Sequence, residues 1–115
     1  MTWYAQRGSK YGAKTQEYNG RKYHSKKEAQ FAQDLDLRLK SGELIEVIPQ
    51  FKVDLRVYGR HITNYYVDFK LIYKDGSEEL VEVKGFQTDV WKLKWKLIEA
   101  IYNEEYPGTK LTVVY

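Results

Sequence analysis

Two neighbouring segments with alternating side chains constrain the fold more than any other feature of this chain. Residues 62–73 and 78–84 each alternate apolar and polar side chains, a pattern typical of β-strands. Along the first segment the alternation places Val67, Phe69 and Leu71 on one face and Asp68 on the other. Only a few turn-forming residues separate the segments, so we expect an antiparallel hairpin.

Apolar matching favours one register of this hairpin. If Phe69 pairs with Val81, the apolar side chains of both strands share one side, and Asp68 lies opposite Glu82. A slip of one residue would set valines against charged side chains and interrupt the buried face. The favoured register requires a three-residue loop in which Gly76 adopts the left-handed conformation.

The rest of the chain predicts an α/β fold with a central mixed sheet flanked by helices. The chain begins with a predicted hairpin turn at Asn19-Gly20, followed by a helix that starts at the capping box Ser25–Glu28, runs to about Lys40 and ends at Gly42. Strands are predicted at 44–48 and 51–58, separated by Pro49, and the two strands described above follow them. A helix over about 88–105 and a strand at 110–115 complete the predicted elements. The last strand can return to the antiparallel meander because a helical crossover precedes it.

Composition limits the class of protein. A length of 115 residues fits a flexible basic arm over residues 1–14 and one domain over residues 15–115. Without cysteine there is no disulfide framework and no thiolate site, and no apolar run could span a bilayer, so we expect a cytoplasmic protein. Residues 1–27 carry seven Lys or Arg and one acid, a net charge of about +6. Such an arm is typical of phosphate-backbone binding and equally of a solvated tail.

Two carboxylates opposed across a hairpin repel each other, so Asp68 and Glu82 need compensation. A divalent cation such as Mg²⁺ is the simplest candidate, because it prefers carboxylate oxygens and water. Lys84 shares the strand face of Glu82 and could orient a water or offset charge on a phosphate. Glu28 lies on the inward stripe of the first helix with Ala32, where it could supply a third carboxylate or act only as a capping residue.

These acidic residues and their lysine match a known pattern. Asp68, then Glu82-Val83-Lys84 on the next strand, with Glu28 on an upstream helix, resembles the restriction endonuclease-like superfamily of metal-dependent nucleases, whose pattern is Asp…(Asp/Glu)-x-Lys. The runs YHSKKEAQFAQDL, YYVDF and EVKGF are similar to small phage-encoded nucleases and Holliday junction resolvases. Val67 departs from the pattern, because many members have proline before the aspartate.

The resemblance implies an endonuclease that hydrolyses DNA phosphodiester bonds with Mg²⁺, or Mn²⁺ as a substitute. Asp68 and Glu82 would bind the metal together with the backbone carbonyl of Val83, Lys84 would position the attacking water, and Glu28 would bind the metal directly or through water. It also implies a homodimer acting on branched or duplex DNA, with no membrane and no small-molecule cofactor, in the cytoplasm of a bacterial host if the protein is phage-encoded.

Side chains that could contact DNA are less specific signals. They are Arg21, Lys22, Lys26, Lys27, Gln87, Lys92, Lys94 and Lys96. For the last three lysines a solvated helix face explains the pattern equally well. Trp91 and Trp95 favour a core role over base stacking. Tyr65 and Tyr66 flank the predicted site, and Tyr66 shares the predicted face of Asp68. Two alternatives stay open: another phage recombination or packaging nuclease of the same fold, and a nucleic-acid-binding module without catalysis.

Overall fold

The computed structural model describes residues 16–18, 21–23, 26–84 and 87–115. The chain divides into two compact units, one up to Gly42 and one from Glu43 to Tyr115. The elements of the first unit are β1 (Gln16–Tyr18), β2 (Arg21–Tyr23) and α1 (Lys26–Lys40). Those of the second are β3 (Leu44–Val57), β4 (Arg60–Tyr73), β5 (Glu78–Val83), α2 (Asp89–Glu105) and β6 (Lys110–Val114).

The first unit contains the predicted hairpin and helix. β1 and β2 pair antiparallel, with Tyr18 opposite Arg21, which confirms the hairpin, although its turn residues lie outside the described part. The predicted arm and the capping residue Ser25 also lie outside it. α1 ends before Gly42, whose φ of 85° is the left-handed conformation that glycine adopts at helix ends. Glu28 is only 1% exposed, which confirms its place on the inward face of the helix.

The second unit is a four-stranded mixed sheet with one helical crossover. The strand order is β3-β4-β5-β6, with antiparallel pairs except for β5 and β6, which are parallel. The parallel pair follows from α2, because a crossover helix returns the chain to the sheet in the direction of β5. The predicted α/β class, the meander and the C-terminal strand are therefore confirmed.

The hairpin between β4 and β5 has the predicted register. Phe69 pairs with Val81. At the turn, Tyr73 N donates to Ser77 O and Gly76 N donates to Tyr73 O, each at 2.9 Å. Gly76 has a φ of 89°, so it supplies the left-handed residue of the three-residue loop. Matching of apolar residues across the hairpin was sufficient to predict its backbone geometry.

The predicted break at Pro49 is wrong, because β3 continues through it. Pro49 pairs with Phe69 and Phe51 pairs with Val67, so the ladder runs on both sides of Gln50. β3 is an edge strand of the sheet, where a residue without an N–H can face away from its neighbour without losing a bond. The register is unchanged across Gln50, although this residue has an unusual backbone conformation with a φ of 53°.

The apolar core of the second unit lies between the sheet and α2. Its buried members are Val53, Leu55, Tyr65, Val67, Leu80, Trp91, Trp95 and Ile98. The rings of Trp91 and Trp95 stack with centroids 6.1 Å apart, which confirms their core role. Val67 and Leu80 share this cluster, although strict alternation along the hairpin would place them on opposite faces of the sheet. Within the described ranges, no helix has the length and apolar character needed to cross a membrane.

Candidate active site

Two carboxylates lie where the ladder between β4 and β5 ends. Asp68 N donates to Glu82 Oε1 at 2.9 Å, and Val83 N donates to Asp68 Oδ2 at 2.8 Å. Each carboxylate therefore accepts a backbone N–H of the opposite strand, where a regular ladder would place a carbonyl oxygen. Asp68 is 5% exposed and Glu82 is 2% exposed. The structure thus brings the two predicted acids together in a buried pair that bridges the strands.

The second oxygen of Glu82 is held by aromatic side chains. Glu82 Oε2 accepts hydrogen bonds from Tyr65 OH at 2.7 Å and from Trp91 Nε1 at 3.1 Å. Trp91 Nε1 also lies 2.7 Å from Tyr65 OH, so the three side chains form one network. Such donors orient a buried carboxylate and lower the cost of its charge.

Burial dominates the titration of this pair. Desolvation, and after it the charge of Asp68, raises the pKa of Glu82 to about 8, while the Tyr65 hydroxyl and Lys84 oppose the shift. Desolvation and the charge of Glu82 also raise the pKa of Tyr65 above its ordinary value of 10.0, so Tyr65 keeps its proton and remains a donor. A nearby positive charge would favour ionised Glu82.

Lys84 extends the acidic pair toward solvent. Its backbone N donates to Val114 O at 2.8 Å, which continues the pairing with β6. Its Nζ lies 3.8 Å from Glu82 Oε2 and 5.1 Å from the centre of the Trp91 ring. The side chain is 24% exposed, so its charge is close to the buried carboxylate and still accessible to a ligand.

Gln50 is a site residue that the sequence did not indicate. It is 5% exposed, and its Nε2 lies 3.5 Å from Asp68 Oδ1. Tyr65, which flanks the predicted site, is the tyrosine that binds Glu82, whereas the sequence favoured Tyr66, which is 39% exposed. Neither contact has a signal in the sequence: one depends on a positive φ, and the other on where the strands separate.

The other predicted residues are distributed over both units. Glu28 belongs to α1 in the first unit, and its role as a third site carboxylate stays a prediction. Arg21 and Lys22 lie in β2, Lys26 and Lys27 begin α1, Gln87 precedes α2, and Lys92, Lys94 and Lys96 lie on α2. Lys94 and Lys96 line a surface groove with Ile62, Leu93 and Leu97, whose walls are largely apolar.

The donor set of the buried pair suits a hard divalent cation. Asp68 and Glu82 supply carboxylate oxygens, which are the ligands that such cations prefer. A cation would also offset the repulsion that raises the pKa of Glu82. Among the described residues, no group of three or more His, Cys, Asp and Glu side chains is placed to hold a metal ion.

The fold and site together define an α/β protein whose mixed sheet opens around a buried, hydrogen-bonded acidic pair with an adjacent lysine. The chain belongs to the family described as "Protein of unknown function (DUF1064)", whose profile matches residues 8–114. Comparisons with curated proteins and with solved structures gave no match.

Proposed function

We propose that this protein is a metal-dependent DNA endonuclease of the restriction endonuclease-like fold, acting on branched DNA as Holliday junction resolvases do. The observation that supports this proposal most strongly is the buried pair of Asp68 and Glu82 with Lys84 beside it. Burying two carboxylates side by side opposes folding, because desolvation and mutual repulsion both disfavour their charge. A pair retained at that cost, next to an accessible amine, is typical of a catalytic site.

Each proposed site residue of the second unit has a role that its position supports. Asp68, Glu82 and the backbone carbonyl of Val83 would hold Mg²⁺ or Mn²⁺, with Glu28 as a further carboxylate. A cation bound there would lower the pKa of its water and offset charge on the scissile phosphate. Lys84 would hold the attacking water and place its positive charge beside the phosphate, since its Nζ is partly exposed.

Substrate binding in this proposal rests on charge. The basic residues 1–27 and the lysines of α2 would contact phosphates, which suits recognition of DNA shape rather than base sequence. Two symmetric nicks in a junction need two active sites, so the active species would be a homodimer. The protein would act in the cytoplasm of a bacterial host if it is phage-encoded.

The test uses an end-labelled four-way junction and a linear duplex of the same sequence, each incubated with Mg²⁺ or with EDTA. We expect paired nicks in the junction with Mg²⁺ only, and loss of cutting in Asp68→Asn with junction binding retained. Asp34→Asn is the matched control, because Asp34 is an exposed acid of α1. Cutting that persists in Asp68→Asn would contradict the assigned site, and equal cutting of the linear duplex would contradict the resolvase proposal.

One observation favours a second candidate, a nucleic-acid-binding module without catalysis. Both oxygens of Glu82 already accept hydrogen bonds from Asp68 N, Tyr65 and Trp91, so the pair could serve only to join the strands to α2. This candidate predicts junction binding that is independent of metal and falls steeply with salt, with no product under any condition. The same junction assay separates the two candidates.

A further inference from the structure

Gln50 has a backbone conformation that its residue type disfavours. It lies inside β3 with a φ of 53°, between ladder pairs formed by Pro49 and by Phe51. A non-glycine residue with such a φ is strained, because its Cβ approaches the neighbouring carbonyl oxygen. Strain of this kind persists where the surrounding structure requires a particular side-chain position, and it is frequent at functional sites.

The amide of Gln50 is buried beside Asp68. Its Nε2 lies 3.5 Å from Asp68 Oδ1, the oxygen opposite the one that accepts from Val83 N. Its Oε1 is fully buried, and no hydrogen-bond donor of the described residues reaches it. A buried acceptor without a donor is unfavourable, so an apolar side chain of similar length would suit this position better if packing were the only requirement.

Gln50 therefore combines two unfavourable features, a positive φ and a buried Oε1 without a donor among the described residues, and both lie next to Asp68. A ligand that brings a hydrogen-bond donor to Oε1 would satisfy this acceptor. Mg²⁺ and Mn²⁺ carry such donors, because they keep several waters when protein carboxylates bind them. Gln50 would also add a neutral oxygen beside the two carboxylates, Asp68 and Glu82, that the second unit brings together.

We propose that Gln50 is a positioning residue of the cation site: its Nε2 holds Asp68 Oδ1, and its Oε1 accepts a hydrogen bond from a water of the cation's shell. This inference rests on the proposed cation at Asp68. It assigns to the strained residue of β3 a role in metal affinity rather than in folding, and the two roles predict different results on substitution.

Mn²⁺ affinity of the full chain, measured by electron paramagnetic resonance of free Mn²⁺, is the primary test. Gln50→Met keeps the length of the side chain and removes both polar groups, so we expect Mn²⁺ binding at least about 10-fold weaker than in the wild type. Gln33→Met is the matched control, because Gln33 is exposed on α1. Thermal unfolding in EDTA should show Gln50→Met to be about as stable as the wild type, since the variant loses the donor to Asp68 together with the buried acceptor that lacks a donor.

Gln50→Asn provides a second variant in case Gln50→Met does not fold. Asparagine tolerates a positive φ and keeps the amide on a shorter arm, so the fold should persist while Mn²⁺ binding weakens. If a folded Gln50 variant binds Mn²⁺ as tightly as the wild type while Asp68→Asn binds it more weakly, this inference is overturned and the proposed function is unaffected. Absence of Mn²⁺ binding by the wild type would overturn both.

Discussion

Replacing Glu82 with glutamine should change how the stability of this protein depends on pH. Glu82 is buried with Asp68, and this raises its pKa from an ordinary 4.5 to about 8. The folded protein therefore binds a proton at Glu82 that the unfolded chain releases above about pH 4.5. Stability from this group is fully present below that pH and is lost as the pH rises toward 8. Glutamine resembles the protonated acid and cannot titrate.

The size of the effect follows from the pKa difference. Each pKa unit corresponds to about 1.4 kcal/mol, so the interval from 4.5 to about 8 corresponds to nearly 5 kcal/mol in full. Between about pH 5 and pH 8.5 we expect the wild type to lose about 4 kcal/mol relative to Glu82→Gln. Any fixed change in the hydrogen bonds with Tyr65 and Trp91 adds the same amount at both pH values and leaves this difference unaltered.

Urea unfolding in EDTA at several pH values measures this difference directly. Glu99→Gln, an exposed acid of α2, is the control and should follow the wild type throughout. Added Mg²⁺ should restore stability to the wild type near pH 8 and not to Glu82→Gln, if a cation binds the ionised pair. A stability difference between wild type and Glu82→Gln that stays constant within about 0.5 kcal/mol across this range would refute the reasoning.

Two further substitutions test the surroundings of the site and the hairpin register. Tyr65→Phe removes the hydroxyl that donates to Glu82 Oε2, so urea unfolding should show a loss of about 1–3 kcal/mol. Tyr58→Phe, at a fully exposed tyrosine, should show none, and equal losses would contradict the assigned bond. Gly76→Ala should cost about 1 kcal/mol because of its φ of 89°, since no atom crowds an added Cβ. Gly108→Ala has open space and no positive φ, so a similar loss there would exclude backbone conformation as the cause.

The sequence predicted those features of the second unit that depend on the regular alternation of apolar and polar side chains. Pairing of Phe69 with Val81 followed from apolar alternation, and the conformation of Gly76 followed from that register. The same reasoning placed Asp68 near Glu82, because the register decides which side chains meet across a hairpin. These features depend on many residues that all favour one arrangement, and single exceptions do not change the outcome.

The features that the sequence did not predict each depend on a local departure of the backbone from regular strand geometry. Pro49 suggested a strand break, yet an edge strand accommodates it, and the deviation occurs one residue later at Gln50. Tyr65 contacts Glu82 beyond the point where the β4–β5 ladder ends at Phe69, and no alternation pattern encodes that end. Local propensity cannot reveal such departures, since their cost is offset by contacts between residues far apart in the chain.

The location of these departures is itself an argument about function. Around Asp68 the second unit has a β4–β5 ladder that ends at Phe69, a second buried carboxylate, and a strained Gln50 whose Oε1 receives no hydrogen bond from the described residues. Each of these features lowers the stability of the fold, and all of them lie next to Asp68. Sequences that violate several folding rules at one point usually do so because that point has a function. The apolar cluster that contains Val53 and Ile98 instead follows the ordinary rules of a sheet covered by a helix. If Asp68 and Glu82 served only to join strands, an ordinary ladder pair with apolar side chains would do so at lower cost, so we infer that the site is kept for its chemistry.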